Sequence, residues 1–549
     1  MKLNGAQIVV KQLRAHGVTT VFGYPGGSVL PLYDELYKNA GKIRHVISAH
    51  EQGAAHAADG YARASGRTGV VIATSGPGAT NLVTGIANAY LDSVPLVAIT
   101  GNVAVPMLGR DSFQEVDITG ITQPIVKHSF LVRKVENLEH ILNEAFRLAG
   151  SGRRGPVLVD IPRCVQTNFC EYTGEPYEWE EAAPCEFDAE QIAAAIKNSK
   201  KPYIYAGGGV IAAGAEAELL ELSQRLSIPV GMSMMGLTSL PHDYELNLGM
   251  CGMHGRYAAT VAQSECDVMI ALGIRFSDRG TGNVDAFTKG KLVIHVDIDL
   301  AEIGKNVPSL MTVCGDVKDV LSQLLPLLPA ARNKNWLAHI EQLKQMEKEQ
   351  QDDSFTPGSI IESVERILGD DTPVATDVGQ HQMWVMQSYK FRKPRTLLTS
   401  GGLGTMGYGL GAAIGGCMAL NKKRTVLFTG DGSFGMNLNE LATAVSNELP
   451  IVIVIINNGV LGMVRQWQNM FFDERYSQTT LNRKTDFAAL AKAFGAEGHT
   501  ASSLDQLEEI LQNLPVKTPT VIDFRVDMNE KVFPMIPPGG SVKDIITKG

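Results

Sequence analysis

Short runs of β-branched and other apolar residues alternate with amphipathic helical patterns over the first third of the chain. The runs VVIAT (70–74), PLVAIT (95–100) and PVLVDIP (156–162) have the length of buried strands. Strands that alternate with helices indicate a parallel sheet covered by helices. We therefore predict a first α/β domain over residues 1–170.

The same alternation returns twice after a polar, Pro- and Glu-rich stretch, EYTGEPYEWEEAAPCEFD, which is typical of a linker. The segments PYIYAGGGVIAAG, DVMIALGIRF and LVIHVDID predict strands of a second domain, 188–345. A charged helical segment, NWLAHIEQLKQMEKEQQ, leads to a third predicted domain, 356–549. A chain of 549 residues is long enough for three domains. The predicted fold class is α/β with three doubly wound parallel sheets.

Two distant segments share one pattern. Residues 70–100 and 425–456 each run strand, Gly-x-Gly turn, amphipathic helix, and a proline before a second apolar strand. Gly76 and Gly430 open the corresponding turns. The pattern leaves two interpretations open: the general likeness of any two βαβ units, or a duplicated domain whose copies have specialised differently.

Composition and charge exclude several classes of protein. Hydrophobic residues make up 44% and charged residues 19% of the chain, as in ordinary globular proteins. A net charge of -9 opposes non-specific binding to nucleic acid or an anionic membrane. Seven cysteines without C-x-x-C spacing argue against a disulfide framework or zinc ribbon and favour a reducing, cytoplasmic compartment. We expect no targeting peptide at the N-terminus and no membrane span, since no apolar run reaches about 18 residues.

Two neighbouring strands of the third predicted domain end on polar residues. GDG at 430–432 follows one strand, and Asn457 and Asn458 follow the next. The carboxyl ends of parallel strands face one crevice, and glycines at a helix N-terminus let backbone amides approach a phosphate. Asp431 would repel that phosphate unless a hard cation lay between them. Mg²⁺ suits this arrangement, with the Asp431 carboxylate, the Asn458 amide oxygen and the Val460 carbonyl as protein ligands.

Two other motifs at this end of the chain fit less well. A serine-hydrolase elbow, G-x-S-x-G, fails because Asp431 stands where its first glycine belongs. GLGTMG at 402–407 matches G-x-G-x-x-G after a short apolar run, but Asp431 comes later than the acidic ribose ligand of a dinucleotide site.

GDG followed by NN across one crossover is the motif of thiamine diphosphate enzymes, and the sequence resembles that superfamily here. The resemblance implies a magnesium diphosphate site and a carboxyl group against the aminopyrimidine of the cofactor. HEQGAA at 50–55 resembles the segment that carries this catalytic glutamate, Glu51. From the residues alone, Glu51 could also be a helix-start carboxylate. A zinc HExxH motif fails because Ala54 occupies the position of the second histidine.

The resemblance extends over essentially the whole chain to the large catalytic subunits of acetohydroxyacid (acetolactate) synthases. The matching stretches include VFGYPGG, TSGPGATN, DSFQEVD, GPVLVDIPR, LGMCGMHG, TDVGQHQMW, SGGLGTMGYGL and GMVRQWQ. The family implies pyrimidine-binding, central FAD-binding and diphosphate-binding domains. It also implies a homodimer or homotetramer with active sites at the subunit interface, and a possible small regulatory subunit.

The implied substrates are 2-oxo acids. Pyruvate loses CO₂ on thiamine diphosphate, and the resulting hydroxyethyl group is ligated to a second pyruvate or to 2-oxobutyrate. The products are 2-acetolactate and 2-aceto-2-hydroxybutyrate, precursors of valine, leucine and isoleucine.

The resemblance also assigns site residues. Contacts with thiamine diphosphate are implied for Pro25, Gly27, Asn81, Gln380, His381, Gly402, Met406, Gly432 and Ser433. Gly27 would line the approach to the reactive carbon, and Met406 would support the bent cofactor. From the residues alone, a methionine is more often a gap-filler of the core.

Substrate contacts are implied for Phe113, Gln114, Arg163, Arg279 and Trp467. Trp467 would select 2-oxobutyrate by apolar contact, although a tryptophan can equally serve a core or an interface. Arg163 stands where the family usually has lysine, which keeps the charge but changes the geometry.

The central domain resembles a flavin-binding domain of this family. The FAD contacts implied are Gly207, Gly208, Gly209, Gly252, Met253, His254, Gly255, Arg275, Asp297, Ile298 and Asp316. Ligation needs no redox change, so the flavin would be structural or vestigial.

Three alternatives remain open at this point. A pyruvate oxidase-like flavoenzyme would share the three domains and the cofactors, although GMVRQWQ and DSFQEVD favour ligation. A nicotinamide-dependent oxidoreductase would use GLGTMG. A non-catalytic scaffold would leave Glu51, Asp431 and Asn458 without a purpose.

Overall fold

The computed structural model describes residues 1–174, 185–349 and 355–548. It contains three six-stranded parallel sheets, which confirms the predicted α/β class. Residues 175–184, within the predicted linker, lie outside the described part of the chain.

The first sheet has the strand order β3-β2-β4-β5-β7-β6, and a short antiparallel ribbon pairs β1 with β8. The strands are β1 (Lys2–Asn4), β2 (Thr20–Tyr24), β3 (Arg44–Ile47), β4 (Gly69–Ala73), β5 (Leu96–Asn102), β6 (His128–Leu131), β7 (Pro156–Pro162) and β8 (Phe169–Glu171). The helices are α1 (Gly5–Ala15), α2 (Leu30–Lys38), α3 (Glu51–Ser65), α4 (Pro77–Asn81), α5 (Val83–Leu91), α6 (Ile118–Thr122), α7 (Leu138–Gly150) and α8 (Arg163–Thr167).

The central sheet has the order β11-β10-β9-β12-β13-β14. Its strands are β9 (Pro202–Ala206), β10 (Val230–Met232), β11 (Asn247–Met250), β12 (Val268–Leu272), β13 (Leu292–Asp297) and β14 (Met311–Cys314). Its helices are α9 (Ala189–Asn198), α10 (Gly208–Ala213), α11 (Glu216–Leu226), α12 (Tyr257–Glu265), α13 (Asp278–Thr281), α14 (Val284–Thr288), α15 (Val317–Leu324) and α16 (Lys334–Glu349). Numbered from the first strand of the domain, this order is 3-2-1-4-5-6, so the direction in which successive strands are added to the sheet reverses between β9 and β12. Ligands of open α/β sheets bind outside such a switch point.

The third sheet has the order β16-β15-β17-β18-β20-β19. Its strands are β15 (Val374–Thr376), β16 (Leu397–Leu398), β17 (Thr425–Gly430), β18 (Ile451–Asn457), β19 (Glu497–Ala501) and β20 (Thr520–Arg525). Its helices are α17 (Pro357–Leu368), α18 (Gln380–Ser388), α19 (Tyr408–Ala419), α20 (Asp431–Asn437), α21 (Leu441–Ser446), α22 (Gly462–Phe471), α23 (Phe487–Ala493) and α24 (Leu504–Gln512).

The first and third sheets have the same topology, 2-1-3-4-6-5 in their own numbering, which favours a duplicated domain over the general likeness of two βαβ units. A buried pair occurs at the same place in both. Asn102 Nδ2 donates to Asp160 at 2.6 Å, and Asn457 Nδ2 donates to Asp523 at 2.7 Å. In each domain an asparagine at the end of the fourth strand holds an aspartate on the sixth.

The strand register refines the equivalence of the two turns. Ala73 pairs with Thr100, and Thr429 pairs with Ile455, at the same distance from the start of β5 and β18. Ser75 therefore corresponds to Asp431, and Gly76 to Gly432 rather than to Gly430. The correspondence drawn from the glycines alone is shifted by two residues, because a Gly-x-Gly pattern does not record where the strand ends.

Helices α3 and α19 pack backbone against backbone and join the first domain to the third. A Cβ on Gly415 would lie 1.8 Å from the carbonyl oxygen of Ala57, and one on Gly60 would lie 2.2 Å from that of Ala412. Side chains cannot be accommodated at such separations, so glycine is needed at both positions. This packing fixes the start of α3 against the third domain.

Within the described ranges, the helices are all too short or too polar to cross a membrane.

Candidate active site

The GDG turn places a buried carboxylate at the carboxyl end of β17. Gly430 ends the strand, Asp431 begins α20, and only 5% of Asp431 is exposed. Burial raises the pKa of Asp431 to about 6. Its Oδ1 atom is buried and has no hydrogen-bond partner among the described residues. A buried charged oxygen without a partner is costly, which fits a site made for a cation.

The two amides after β18 have different surroundings. Asn457 is buried and bonds Asp523, so it supports the sheet. Asn458 is partly exposed; its Nδ2 donates to Gln380 Oε1 at 3.1 Å, and its Oδ1 accepts the N–H of Val460 at 3.2 Å. Asn458 is therefore the amide whose side chain bonds no described residue of the sheet, and it contacts Gln380 at the start of α18.

Helix α22 begins directly against this cluster. A Cβ on Gly462 would lie 1.9 Å from Gln380 Oε1 and 2.8 Å from Asn458 Nδ2. Gln380 also donates to Gln466 Oε1 at 3.1 Å and to the carbonyl oxygen of Glu530 at 2.7 Å. Gly462 and Gln466 thus hold the helix that carries Trp467, and sequence reasoning did not single out either residue.

The predicted diphosphate contacts surround the same turn. His381 is buried, and its Nε2 atom has no hydrogen-bond partner within the described ranges. Burial lowers the pKa of His381 to about 3, so the ring is neutral. A Cβ on Gly430 would approach His381 Nδ1 to 3.1 Å. Ser433 Oγ donates to the carbonyl oxygen of Val378 at 2.9 Å. These contacts bring His381 and Ser433 to the GDG turn.

Met406 lies on the same side of the turn. The Met406 methyl group is 3.9 Å from the position that a Cβ on Gly432 would occupy. Met406 is partly buried and precedes α19, in the glycine-rich loop that also contains Gly402.

Glu51 is the first residue of α3, but its carboxylate does not cap the helix. His50 is the N-cap, and its side chain accepts the N–H of Gln52. Glu51 Oε2 instead accepts a hydrogen bond from Asn81 Nδ2 at 2.9 Å. Two residues assigned separately from sequence are therefore in contact. Glu440, which sequence reasoning did not single out, accepts the N–H of His50 at 2.9 Å and so ties this helix start to the third domain.

The loop after β2 contains Pro25 and Gly27, both assigned from sequence. Gly26 is sterically required, because its Cβ would lie 2.5 Å from Thr74. A Cβ on Gly27 would meet no atom of the described residues within 4 Å, so Gly27 borders open space among them.

Phe113 and Gln114 lie on a loop beside the first-domain turn. Gln114 has φ 58°, and its Cα lies 3.0 Å from the Cβ position of Gly76. Phe113 is 88% exposed in the single chain. The structure therefore brings Gln114 to the turn and leaves Phe113 at the surface.

Trp467 and Arg279 come from different domains and meet. The Arg279 guanidinium carbon lies 5.4 Å from the centroid of the Trp467 ring, a cation–π contact. Arg279 Nη1 is also 3.8 Å from Met253 Sδ. Trp467 Nε1 is buried without a partner among the described residues. Arg163 is exposed at the start of α8, directly after β7.

A cavity of about 630 Å³ lies among the three domains at the switch point of the central sheet. Of the residues assigned to FAD, those lining it are Gly208, Gly209, Arg275, Asp297, Ile298 and Asp316; Gly402 and Arg279 line it as well. A Cβ on Gly209 would lie 2.5 Å from the Cα of Gly273, so the two strand ends approach closely. Burial raises the pKa of Asp297 to about 6.

Two segments assigned to FAD lie beside this lining. Gly207 donates its N–H to Leu272 at 2.9 Å. The turn 252–255 packs on Arg279: the N–H of Met253 bonds the Arg279 carbonyl oxygen at 2.8 Å, and Gly252 has φ 107°. His254 is buried, which lowers its pKa to about 4, and a Cβ on Gly255 would lie 2.6 Å from the Met250 carbonyl oxygen.

Comparison with known proteins identifies the family. Sequence models of the thiamine pyrophosphate enzymes match residues 3–121 (N-terminal TPP binding domain), 189–324 (central domain) and 377–524 (C-terminal TPP binding domain). The acetolactate synthase isozyme 2 large subunit of Escherichia coli is 45% identical, and the match covers 100% of both chains. The chain belongs to the acetolactate synthase large subunits.

Two further relatives cover nearly the whole chain. The probable acetolactate synthase large subunit of Methanocaldococcus jannaschii is 43% identical over 99% of this chain and 95% of the relative. The acetolactate synthase of Mycobacterium bovis is 44% identical over 99% of this chain and 91% of the relative. The predicted family and the thiamine diphosphate domains are confirmed.

A first prediction separates the two amides of the acetolactate synthase GDG–NN crevice. Asn457→Ala leaves the buried Asp523 without one of its partners and is expected to lower the free energy of unfolding by about 1–3 kcal/mol. Asn458→Ala is expected to lower the affinity for magnesium and thiamine diphosphate at nearly unchanged stability. Urea unfolding and titration with both ligands measure the two effects. A loss of stability in Asn458→Ala together with a loss of ligand affinity at unchanged stability in Asn457→Ala would contradict these separate roles.

Proposed function

We propose that this chain decarboxylates pyruvate and joins its two-carbon unit to a second pyruvate or to 2-oxobutyrate. The products are 2-acetolactate and 2-aceto-2-hydroxybutyrate, in the biosynthesis of branched-chain amino acids. One observation carries the proposal: this member of the acetolactate synthase family has a buried Asp431 carboxylate oxygen that bonds no residue in the described part of the chain, at a glycine turn beside the strand that leads to Asn458.

The residues of this turn fit a magnesium diphosphate. We assign the Asp431 carboxylate, the Asn458 amide oxygen and the Val460 carbonyl oxygen to the cation, since Mg²⁺ prefers a few protein oxygens beside phosphate oxygens. The diphosphate would be contacted from two helix starts: by Gln380 and His381 at the start of α18, and by Gly432 and Ser433 at the start of α20. Helix N-termini favour bound anions.

Glu51 would hold and exchange a proton at its free carboxyl oxygen, while Asn81 keeps the other oxygen in place. A proton donor or acceptor must be oriented before it is useful, and this hydrogen bond supplies the orientation. Bound thiamine diphosphate would supply the carbanion-stabilising chemistry. The space around its reactive carbon would be shaped by Pro25, Gly27 and Met406.

The substrate would bind where Arg279 meets Trp467. The exposed guanidinium of Arg279 is suited to a 2-oxo acid carboxylate, and Trp467 offers apolar area for the extra methylene of 2-oxobutyrate. The path by which the substrate reaches this site would be bordered by Arg163, Phe113 and Gln114.

The central cavity suits a dinucleotide such as FAD. Its support is the switch point of the sheet, the closely approaching strand ends at Gly209 and Gly273, and the number of assigned residues that line it. We assign a structural flavin here, bordered also by Gly207 and the turn 252–255. The three functional domains are proposed to span 1–170, 188–345 and 356–549.

The assembly is proposed to be a homodimer or homotetramer with active sites between subunits, in the cytoplasm, with a small regulatory subunit as a further partner. A phenylalanine that is 88% exposed in the single chain, Phe113, supports a partner surface at this loop.

Product analysis tests the proposed function directly. With pyruvate and 2-oxobutyrate present, the enzyme is expected to form both acetohydroxy acids. Omitting thiamine diphosphate or magnesium is expected to abolish turnover, since both would complete the site at Asp431. Omitting FAD is expected to lower the fraction of active protein. In the FAD-loaded enzyme, we expect no flavin reduction during turnover. Flavin reduction in step with CO₂ release would instead support an oxidase.

Trp467→Leu tests the origin of substrate preference. Loss of the aromatic face is expected to reduce the preference for 2-oxobutyrate over pyruvate by about 1–3 kcal/mol, the range available from one methylene. The ratio of the two products, measured with both substrates present, reports this change. Turnover with pyruvate alone is the internal control, and an unchanged product ratio would refute the assignment.

A further inference from the structure

The loop that carries Met406 is rich in glycine and poor in side chains that could hold it. Residues 401–404 are exposed, and Gly404 and Gly407 have positive φ values of 67° and 86°. Glycines lose more conformational freedom on folding than other residues, so such a loop needs contacts from outside to keep one conformation.

These contacts come from the first domain. Gly401 donates its N–H to Asp92 Oδ2 at 3.0 Å, and Gly402 donates to Asp92 Oδ1 at 2.7 Å. One carboxylate therefore accepts two consecutive backbone N–H groups of the loop. Charged acceptors form the stronger hydrogen bonds.

Asn88, one turn before Asp92, holds the ends of the same loop. Its Oδ1 accepts hydrogen bonds from Ser400 Oγ at 2.5 Å and from Thr405 Oγ1 at 3.2 Å. Residues four apart share one face of a helix. Helix α5 and its C-cap residue Asp92 thus present a matched pair of acceptors to the loop.

Arg63 fixes the position of Asp92. Its Nη2 donates to Asp92 Oδ2 at 2.8 Å, and its Nε donates to Asp59 Oδ1 at 2.6 Å. The side chains of Asp59 and Asp92 are fully buried, and that of Arg63 is 8% exposed. Tyr408, the first residue of α19, donates its hydroxyl hydrogen to the same Asp59 at 2.6 Å. The network therefore contacts both the beginning of the loop and the helix that follows it.

We propose that Asp92 is a positioning residue that holds the 400–407 loop so that Met406 is presented to the thiamine diphosphate. The inference rests on the proposed function, in which Met406 supports the cofactor. Asp92 contacts the loop backbone and Arg63, and it also lines the central cavity. The positioning role assigns its effect on the reaction to the loop contacts. Removal of the Asp92 carboxylate should therefore change the conformation of the bound cofactor more than its affinity. The affinity would depend on the diphosphate, which Asp431 and Asn458 would bind through magnesium.

Asp92→Asn in the full-length enzyme, loaded with magnesium, thiamine diphosphate and FAD, tests this inference. The substitution keeps the shape but removes the charge and one acceptor. We expect faster amide hydrogen exchange in peptides covering the loop, and at least tenfold slower exchange of the cofactor C2 proton. Turnover should fall by a similar factor, while the dissociation constant of thiamine diphosphate stays within threefold of the parent value.

Glu347→Gln is the matched control. Glu347, on α16, also accepts a hydrogen bond from an arginine side chain, Arg256 Nη2, at 2.9 Å and one from a backbone N–H, that of Tyr257, at 2.9 Å. This control is expected to leave C2 proton exchange within twofold of the parent. Asp92→Glu, which keeps the charge beside Arg63 but displaces the carboxylate, should slow C2 exchange at least threefold and serves if Asp92→Asn folds poorly.

The outcomes separate this inference from the proposed function. An active parent whose Asp92 variants exchange the C2 proton at the parental rate would overturn the positioning role alone, as would an equal loss in Glu347→Gln. A parent that forms no acetohydroxy acid would overturn the proposed function itself.

Discussion

The site depends on one costly arrangement, a carboxylate buried at the end of a parallel strand with an oxygen that no described residue bonds. Asp431 is tolerated there because the fold continues directly into a helix N-terminus, where negative charge is favourable. Burial still raises its pKa to about 6, so the protein alone does not satisfy it. A cation and an anionic ligand would complete the arrangement. The segments around the Asp431 turn meet through contacts of Gln380, His381, Ser433, Asn458 and Gly462.

The second constraint is the duplicated topology. Two sheets with the same strand order carry the same buried Asn–Asp pair, yet Ser75 in the first domain occupies the position of Asp431 in the third. The first copy instead places a carboxylate, Glu51, at the start of α3. Helix packing through Gly60 and Gly415 then fixes that helix against the third domain. Each copy thus contributes a different acidic group.

Sequence reasoning could predict features that are local in the chain. Alternating strands and helices, the repeat, and the GDG and NN turns are each encoded within a few tens of residues, and the fold class follows from them. Glycine spacing alone equates Gly76 with Gly430, two residues out of register, because it does not show which residues pair across a sheet. The distinct partners of Asn457 and Asn458 also depend on contacts with Asp523 and Gln380, far away in the chain.

The network of Asp59, Arg63 and Asp92 was not predicted, although polar residues spaced by four within alanine-rich helices were a signal. Its partners, Gly401 and Gly402, lie 309 and 310 residues after Asp92 in the chain. Only the packing of α5 against the loop brings them together. The contact between Arg279 and Trp467 likewise joins two domains and could be assigned from sequence only by resemblance.

The most direct test of the account combines two inactive chains. Glu51→Gln removes the first-domain carboxylate, and Asp431→Asn removes the third-domain one. If each site joins the two domains across a dimer interface, a purified mixed dimer has one intact site and recovers roughly half of the parental acetolactate synthesis. A mixed dimer as inactive as either parent variant would contradict the shared site.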